Sequence, residues 1–167
     1  MTEGETLFTL LDAGQTGIDF ENRLTEGPNT NILVYAANPS AARHQNALAF
    51  MSSHSDKELV LCELVLIELY MALRNPAIFP KPYSASQAAN YCQKLKTNPR
   101  WRYIDYEPAV SSKLWEWAKT TKQGFRQVID ARIALTLQHH GVDQFATANI
   151  KDFSKFGFTK LWDPSKG

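Results

Sequence analysis

Two carboxylates lie within stretches of the chain that are otherwise largely apolar. Glu68 is embedded in Leu-Val-Leu-Ile-Glu-Leu-Tyr-Met-Ala-Leu, and Asp130 in Val-Ile-Asp-Ala-Arg-Ile-Ala-Leu. A buried carboxylate costs several kcal/mol unless a basic partner, a helix N-terminus, a raised pKa or a metal ion compensates it. Each acid also has a structural explanation, because Asp130 can lie at a helix start and Glu68 can pair with Arg74. Glu63 is the weakest candidate, since it is expected in the first turn of its helix.

A third polar cluster occupies residues 147–153, where Asn149 and Asp152 directly follow a predicted strand. Open α/β sheets place their functional sites at the carboxyl ends of strands. The string Asn29-Thr30-Asn31 lies beside another apolar run, where such residues commonly form turns and orient their neighbours. Oxygen ligands from widely separated segments are what Mg²⁺ requires, and the ion relieves the repulsion between neighbouring carboxylates. Because such an ion activates water and neutralises phosphate oxygens, the pattern favours phosphodiester hydrolysis.

Apolar runs and capping signals predict the elements that would bring these side chains together. Strands are expected at Ile32–Ala36, at the start of Leu59–Leu73, and at Trp101–Asp105, Phe145–Thr147 and Lys160–Trp162. Helices are expected after Asn38-Pro39-Ser40, in the rest of Leu59–Leu73, from Ser84 to about Lys96, from about Pro108, and over Gln127–His140 before Gly141. Alternating strands and helices imply parallel pairing, and hence a three-layer α/β/α sandwich with a central, mostly parallel sheet.

The bulk composition bounds the class of protein. The formal net charge of +1 argues against a polybasic nucleic-acid binder but leaves room for a local basic patch. Cys62 and Cys92 have no zinc-binding spacing, and no segment predicts a membrane helix or a secretion signal. We therefore expect a cytoplasmic protein with no membrane association. Residues 1–28 are broken up by Gly and Pro and are predicted to be an N-terminal appendage to a domain over 29–167.

Five motifs follow one another in an order that resembles the PIN-domain family, specifically the VapC-type toxins of bacterial toxin–antitoxin modules. The resemblance runs from Asn29 to about Pro164, which is most of the chain. The motifs that carry it are Asn29–Ala36, Glu68, the loop Arg74–Pro82, Asp130-Ala131 and Thr147–Phe153. The resemblance implies a parallel sheet flanked by helices, bound Mg²⁺ or Mn²⁺, and cleavage of RNA of the tRNA or rRNA class. It also implies a homodimer and a cognate VapB-like antitoxin that occludes the site.

Two features depart from the family pattern. The first acid of the family is Asp, whereas this chain has Asn29, which keeps an oxygen ligand but cannot act as a base. The family strand that precedes this acid is apolar, whereas Arg23–Pro28 is polar. Residues 1–28 look foreign to the family, which is explained either by a fused leader or by Leu7–Leu11 returning as the missing strand with Asp12 at its end. The long connection that this second arrangement needs is unusual.

Two functions from different classes follow from these residues. The first is a Mg²⁺-dependent endoribonuclease, with Glu68 and Asp130 as the principal ligands. In that case the remaining ligands would be Asn29, Asn149 and Asp152, the phosphate contacts would be Lys119, Lys122, Arg126 and Lys151, and Thr30 and Asn31 would support the site. The second is a catalytically inactive PIN fold that binds an antitoxin or RNA. An α/β hydrolase is not supported, because the chain has no Gly-x-Ser-x-Gly motif.

Overall fold

The computed structural model describes residues 7–9, 32–53, 59–120, 122, 124 and 127–166, and these residues form an α/β fold around one parallel sheet. The sheet has the order β3-β2-β1-β4-β5, and every neighbouring pair is parallel. Its strands are β1 (Leu7–Thr9), β2 (Leu59–Cys62), β3 (Trp101–Ile104), β4 (Gln144–Ala146) and β5 (Lys160–Trp162). Because all strands run the same way, their carboxyl ends meet at one edge of the sheet.

Helices connect the strands and cover the sheet. They are α1 (Ile32–Ala37), α2 (His44–Ser53), α3 (Glu63–Leu73), α4 (Ala85–Lys96), α5 (Pro108–Thr120), α6 (Gln127–His139) and α7 (Ile150–Phe153), and a 3₁₀ turn follows at Ser154–Phe156. Helices α1 to α4 pack against one another as one group, and α5 to α7 as a second group. Both α3 and α6 contact β2. The predicted α/β fold with a parallel sheet is therefore confirmed.

The predicted first strand is wrong. Ile32–Ala37 is a helix whose residues are nearly all buried, and the centre of the sheet is occupied by Leu7–Thr9. Leu7 pairs with Leu59, and Phe8 pairs with Phe145. A short, continuously apolar run has no periodicity that would distinguish a buried strand from a buried helix. The strand assignment for this run therefore had no reliable basis in the sequence. The arrangement in which the N-terminal apolar run supplies the missing strand is thus confirmed for Leu7–Thr9.

The boundary predicted between residues 28 and 29 stays a prediction, because most of residues 1–28 lie outside the described part of the chain. The three residues of β1 nevertheless belong to the same sheet as the later strands. In each helix of the described ranges, the apolar stretch is too short to cross a lipid bilayer.

Other predicted boundaries are confirmed, because local chemistry fixes them. Ser84 caps α4 through a capping box, in which its hydroxyl accepts from the Gln87 amide nitrogen at 3.2 Å. Gln87 Oε1 in turn accepts from the Ser84 amide nitrogen at 2.9 Å. Gly141 follows α6 with a φ of 77°, a left-handed conformation that glycine adopts without strain.

Candidate active site

Asp130 lies in the first turn of α6, close to Asp152 on α7. The pKa of Asp130 is raised to about 7, chiefly by burial and also by the negative charge of Asp152, while the Lys155 ammonium acts to lower it. The structural explanation for Asp130 is a helix N-terminus, which would favour the charged form and lower the pKa. Because the pKa is raised, burial and the charge of Asp152 together outweigh any stabilisation of the carboxylate by the helix N-terminus. The charged form of Asp130 is therefore disfavoured in these surroundings, and a nearby cation would favour it.

Asn149 links the end of β4 to helix α7. Its side-chain Nδ2 donates to Asp152 Oδ2 at 2.8 Å, and its backbone nitrogen donates to Thr147 Oγ1 at 3.0 Å. Thr147 is anchored in turn, because its backbone nitrogen donates to the Trp162 carbonyl at 2.8 Å. Asn149 and Thr147 are both buried. The hydrogen bonds hold Asp152 in one orientation at the carboxyl edge of the sheet.

Glu68 lies half-buried on α3, near the end of β2. The pKa of the neighbouring Cys62 thiol is raised to about 12, chiefly by burial and also by the Glu68 charge, while backbone hydrogen bonds and Arg132 act to lower it. Glu68 and Arg132 therefore both lie close enough to Cys62 to act on it, and Arg132 is two residues from Asp130 on α6. Because Cys62 ends β2, Glu68 lies towards the carboxyl ends of the strands, where Asn149 also follows β4.

The structure shows the contacts of Glu63 and Arg74, the two residues for which the sequence suggested a purely structural role. Glu63 accepts a hydrogen bond from the Tyr103 hydroxyl, which accounts for its position at the start of α3. Arg74, the expected partner of Glu68, donates to the Tyr70 hydroxyl at 3.0 Å and lies 5.5 Å from the centre of the Tyr70 ring.

The acid cluster, defined here as Asp130, Asn149 and Asp152, suits a hard cation because its donors are carboxylate and amide oxygens. Across the described ranges, no three His, Cys, Asp or Glu side chains come close enough together to hold a metal ion. The oxygen donors and the raised pKa of Asp130 nonetheless fit such an ion. Asn29, Thr30, Asn31 and Arg126 lie outside the described residues, as does Asp12.

The basic residues predicted to contact phosphate, where the structure describes them, are exposed, and one of them forms an ion pair. Lys119 forms an exposed ion pair with Glu116 at 2.6 Å, and Lys122 and Lys151 are exposed. Sequence reasoning missed Lys155, whose ammonium lies close enough to Asp130 and Asp152 to alter the pKa of Asp130. Lys155 follows Asp152 by three residues, which could have indicated that the two side chains lie within one helical turn. Its proximity to Asp130 depends instead on how α7 packs on α6.

Comparison with known proteins identifies the fold and the family. The PIN domain family matches residues 28–158. Ribonuclease VapC24 of Mycobacterium tuberculosis is 44% identical over 137 residues, which cover 81% of this chain and 94% of that protein. The solved structure of VapC20 of Mycobacterium tuberculosis, a toxin that cleaves the sarcin–ricin loop, superposes with a TM-score of 0.62 at 16% identity and covers 92% of this chain and 97% of its own.

FitAcB from Neisseria gonorrhoeae shares the same fold. Its TM-score is 0.58 at 14% identity, and the match covers 96% of this chain and 100% of that chain. The matched domain and the extent of identity to a VapC ribonuclease leave one assignment: the chain belongs to the PIN-domain family and, within it, to the VapC ribonuclease toxins.

Proposed function

We propose that the chain is a divalent-metal-dependent endoribonuclease that hydrolyses RNA phosphodiester bonds at the acid cluster. The observation that carries this proposal is the half-buried Asp130 carboxyl in the first turn of α6, whose pKa is raised by burial and by the charge of Asp152 on α7. A binding module has no need of such an arrangement, because two adjacent acids repel each other and also repel RNA. The resemblance to VapC24 at 44% identity supports the same activity.

Each residue of the site has a separate proposed role. Asp130 and Asp152 provide carboxylate oxygens for Mg²⁺ or Mn²⁺, and Glu68 provides a third from α3. Asn149 holds Asp152 in orientation through its 2.8 Å hydrogen bond, and we propose its side-chain carbonyl oxygen as a further ligand. When bound, the ion lowers the pKa of water and neutralises charge on the phosphate oxygens. Deprotonated Asp130 is required before it can serve as a ligand, so activity depends on the ionisation of this carboxyl.

We assign the first acid of the site to Asp12 in place of Asn29. Asp12 comes three residues after β1, which lies between β2 and β4 at the centre of the sheet. The carboxyl ends of β2 and β4 lead directly to α3 and to Asn149. Asn29 is twenty residues beyond β1 and provides only an amide. The position of β1 supports Asp12, and Thr30 and Asn31 then serve as supports before α1.

The test of the function is RNA cleavage by purified protein with Mg²⁺, using tRNA and ribosomal RNA as substrates. We expect the wild type to cut RNA and EDTA to stop it. The double variant Glu68→Gln/Asp130→Asn should be inactive. The matched control is Asp143→Asn, which removes an exposed carboxylate before β4, at the opposite edge of the sheet. Equal cleavage by the double variant and the wild type would refute the function.

Variants at the first acid separate the two functional hypotheses. If Asp12 is the first ligand, Asp12→Asn abolishes cleavage while Asn29→Ala retains it. If Asn29 instead occupies the position of the first acid and abolishes activity, the wild type does not cleave RNA, and Asn29→Asp restores metal binding and cleavage. An inert wild type with no metal binding by either variant would favour the binding module.

VapC-type toxins form complexes with antitoxins, and we propose a VapB-like antitoxin that covers this site. Exposed apolar side chains flank the acids in sequence, since Ile67 precedes Glu68 and Ile129 precedes Asp130. Their exposed fractions are 44% and 42%. A partner that buries them also blocks the acids. A homodimer is proposed by family resemblance, and light scattering of the isolated protein tests it.

A further inference from the structure

Lys155 has surroundings unlike those of the other lysines considered above. It follows α7 in the 3₁₀ turn, and its ammonium donates a hydrogen bond to Gln127 Oε1 at the start of α6. Burial lowers the pKa of Lys155, and the negative charges of Asp130 and Asp152 offset part of that lowering. Gln127 begins α6 and Asp130 lies in the same first turn, so the hydrogen bond to Gln127 holds the ammonium at the rim of the acid cluster.

Two aromatic rings fix the position of this ammonium. Lys155 Nζ lies 5.4 Å from the centre of the Trp117 ring and 5.3 Å from that of Phe156. The two rings are themselves 5.8 Å apart, so together they form one apolar wall beside the lysine. A cation within about 6 Å of an aromatic face is attracted to it. Lys155 is exposed, as are Lys122 and Lys151, but its ammonium is held by an amide oxygen and by aromatic rings.

A fixed cation at this place has a specific use in a ribonuclease. RNA that approaches Asp130 and Asp152 brings phosphate charge towards two carboxylates, and the repulsion opposes binding. A lysine contributes a compact positive charge with three donors, suited to a phosphate oxygen. Because the ammonium is already positioned, little side-chain entropy is lost when a phosphate docks.

We propose that Lys155 is the substrate-positioning residue of this site and binds an RNA phosphate next to the acids. This inference rests on the proposed ribonuclease function. It distinguishes Lys155 from the lysines that sequence reasoning selected. It also has an electrostatic corollary: a cation beside the acids disfavours entry of a second cation, so removing Lys155 should not weaken metal binding.

The variant Lys155→Met removes the charge and keeps an unbranched side chain against the rings, and Lys155→Arg keeps the charge. The matched control is Lys160→Met. Lys160 also lies over an aromatic ring, with Nζ 4.6 Å from the centre of the Trp162 ring, but it starts β5 at the opposite edge of the sheet. The probe is a fluorescein-labelled single-stranded RNA oligonucleotide, and its anisotropy is measured in EDTA over a range of salt concentrations. Metal-free conditions prevent cleavage during the measurement.

We expect Lys155→Met to bind the oligonucleotide about five- to tenfold more weakly and to reduce the slope of log K against log salt by about 0.7, the value for one single-strand phosphate contact. Lys155→Arg and Lys160→Met should match the wild type. Calorimetric titration with Mn²⁺ at pH 8.5, without RNA, should show equal or tighter binding by Lys155→Met. If Lys155 only maintained the fold of the acid cluster, the substitution would weaken both RNA binding and Mn²⁺ binding. A loss of RNA affinity alone would therefore exclude a merely structural role.

Two results would overturn the inference. One is wild-type RNA affinity and salt slope in Lys155→Met. The other is parallel loss of RNA and Mn²⁺ binding, which would mean that Lys155 only maintains the fold of the cluster. Failure of the ribonuclease function appears separately, as RNA that stays intact when wild-type protein is supplied with Mg²⁺.

Discussion

The side-chain amide of Asn149 donates to Asp152 Oδ2 at 2.8 Å, and this bond ties the residue after strand β4 to helix α7. Asn149 is buried, so water does not readily replace it as the partner of Asp152. Groups that orient a metal ligand contribute strongly to metal affinity even where they do not touch the ion.

Replacing Asn149 by alanine should therefore weaken metal binding about 10- to 100-fold. The measurement is calorimetric titration with Mn²⁺, accompanied by thermal unfolding to check the fold. The control is Asn98→Ala, just before β3, which also removes an asparagine side chain that makes a hydrogen bond: Asn98 Oδ1 accepts from the Arg100 backbone nitrogen at 3.0 Å. Unchanged Mn²⁺ affinity in a folded Asn149→Ala protein would contradict the orienting role.

Asp130 should make the metal-free protein less stable as the pH rises. Its folded pKa of about 7 lies above the ordinary value of 3.8, so the native state binds the proton more tightly than the unfolded chain. Stability from the neutral carboxyl is complete below about pH 4 and is lost as the pH rises towards about 7. Asp130→Asn should thus be more stable than the wild type by about 1–3 kcal/mol at pH 8, with the difference shrinking towards pH 4.

Urea unfolding of the wild type and Asp130→Asn at pH 4.5 and pH 8, in EDTA, measures this difference. A wild type that is more stable than Asp130→Asn at pH 8 without metal would mean that the carboxylate already has a sufficient partner.

The pKa of Asp130 should respond in opposite directions to its two charged neighbours. Asp152→Asn removes a negative charge and should lower this pKa, whereas Lys155→Met removes a positive charge and should raise it. Carbon-13 NMR of the side-chain carboxyl resolves both shifts in metal-free protein. If neither substitution moves the titration midpoint, the three groups are not close enough to form the proposed cluster.

Ser84→Ala should cost about 1 kcal/mol of stability because it removes the cap of α4. Cleavage of RNA at a permissive temperature should be unchanged, since α4 carries none of the proposed ligands. Thermal unfolding and an RNA cleavage assay check the two halves of the prediction. A matching loss of activity would show that modest destabilisation alone accounts for reduced cleavage in other variants.

Local signals predicted most of the fold. The switch from β2 to α3 and the cap at Ser84 follow from residues within a few positions of each boundary, and both are seen. The central strand was harder, because Leu7–Thr9 joins the sheet through pairing with β2 and β4, which are distant in sequence. The run that begins at Ile32 is more apolar and was therefore assigned as the strand, but it folds as a helix.

The sequence singles out Asp130 because an acid interrupts an apolar stretch there, and the structure places this residue in the first turn of α6. The position of Lys155 was not predictable, because nothing near it in sequence indicates that α7 brings it to Asp130 and Gln127. The roles of Asp12 and Asn29 depend on which residue follows the central strand, and that required the sheet order.

The most direct measurement of the central claim is a calorimetric titration of Mn²⁺ into wild-type protein and into Glu68→Gln/Asp130→Asn at pH 8. The wild type should bind the ion, and the double variant should show a loss of affinity of at least about 100-fold. Equal affinity in the two proteins would mean that these acids do not hold the metal.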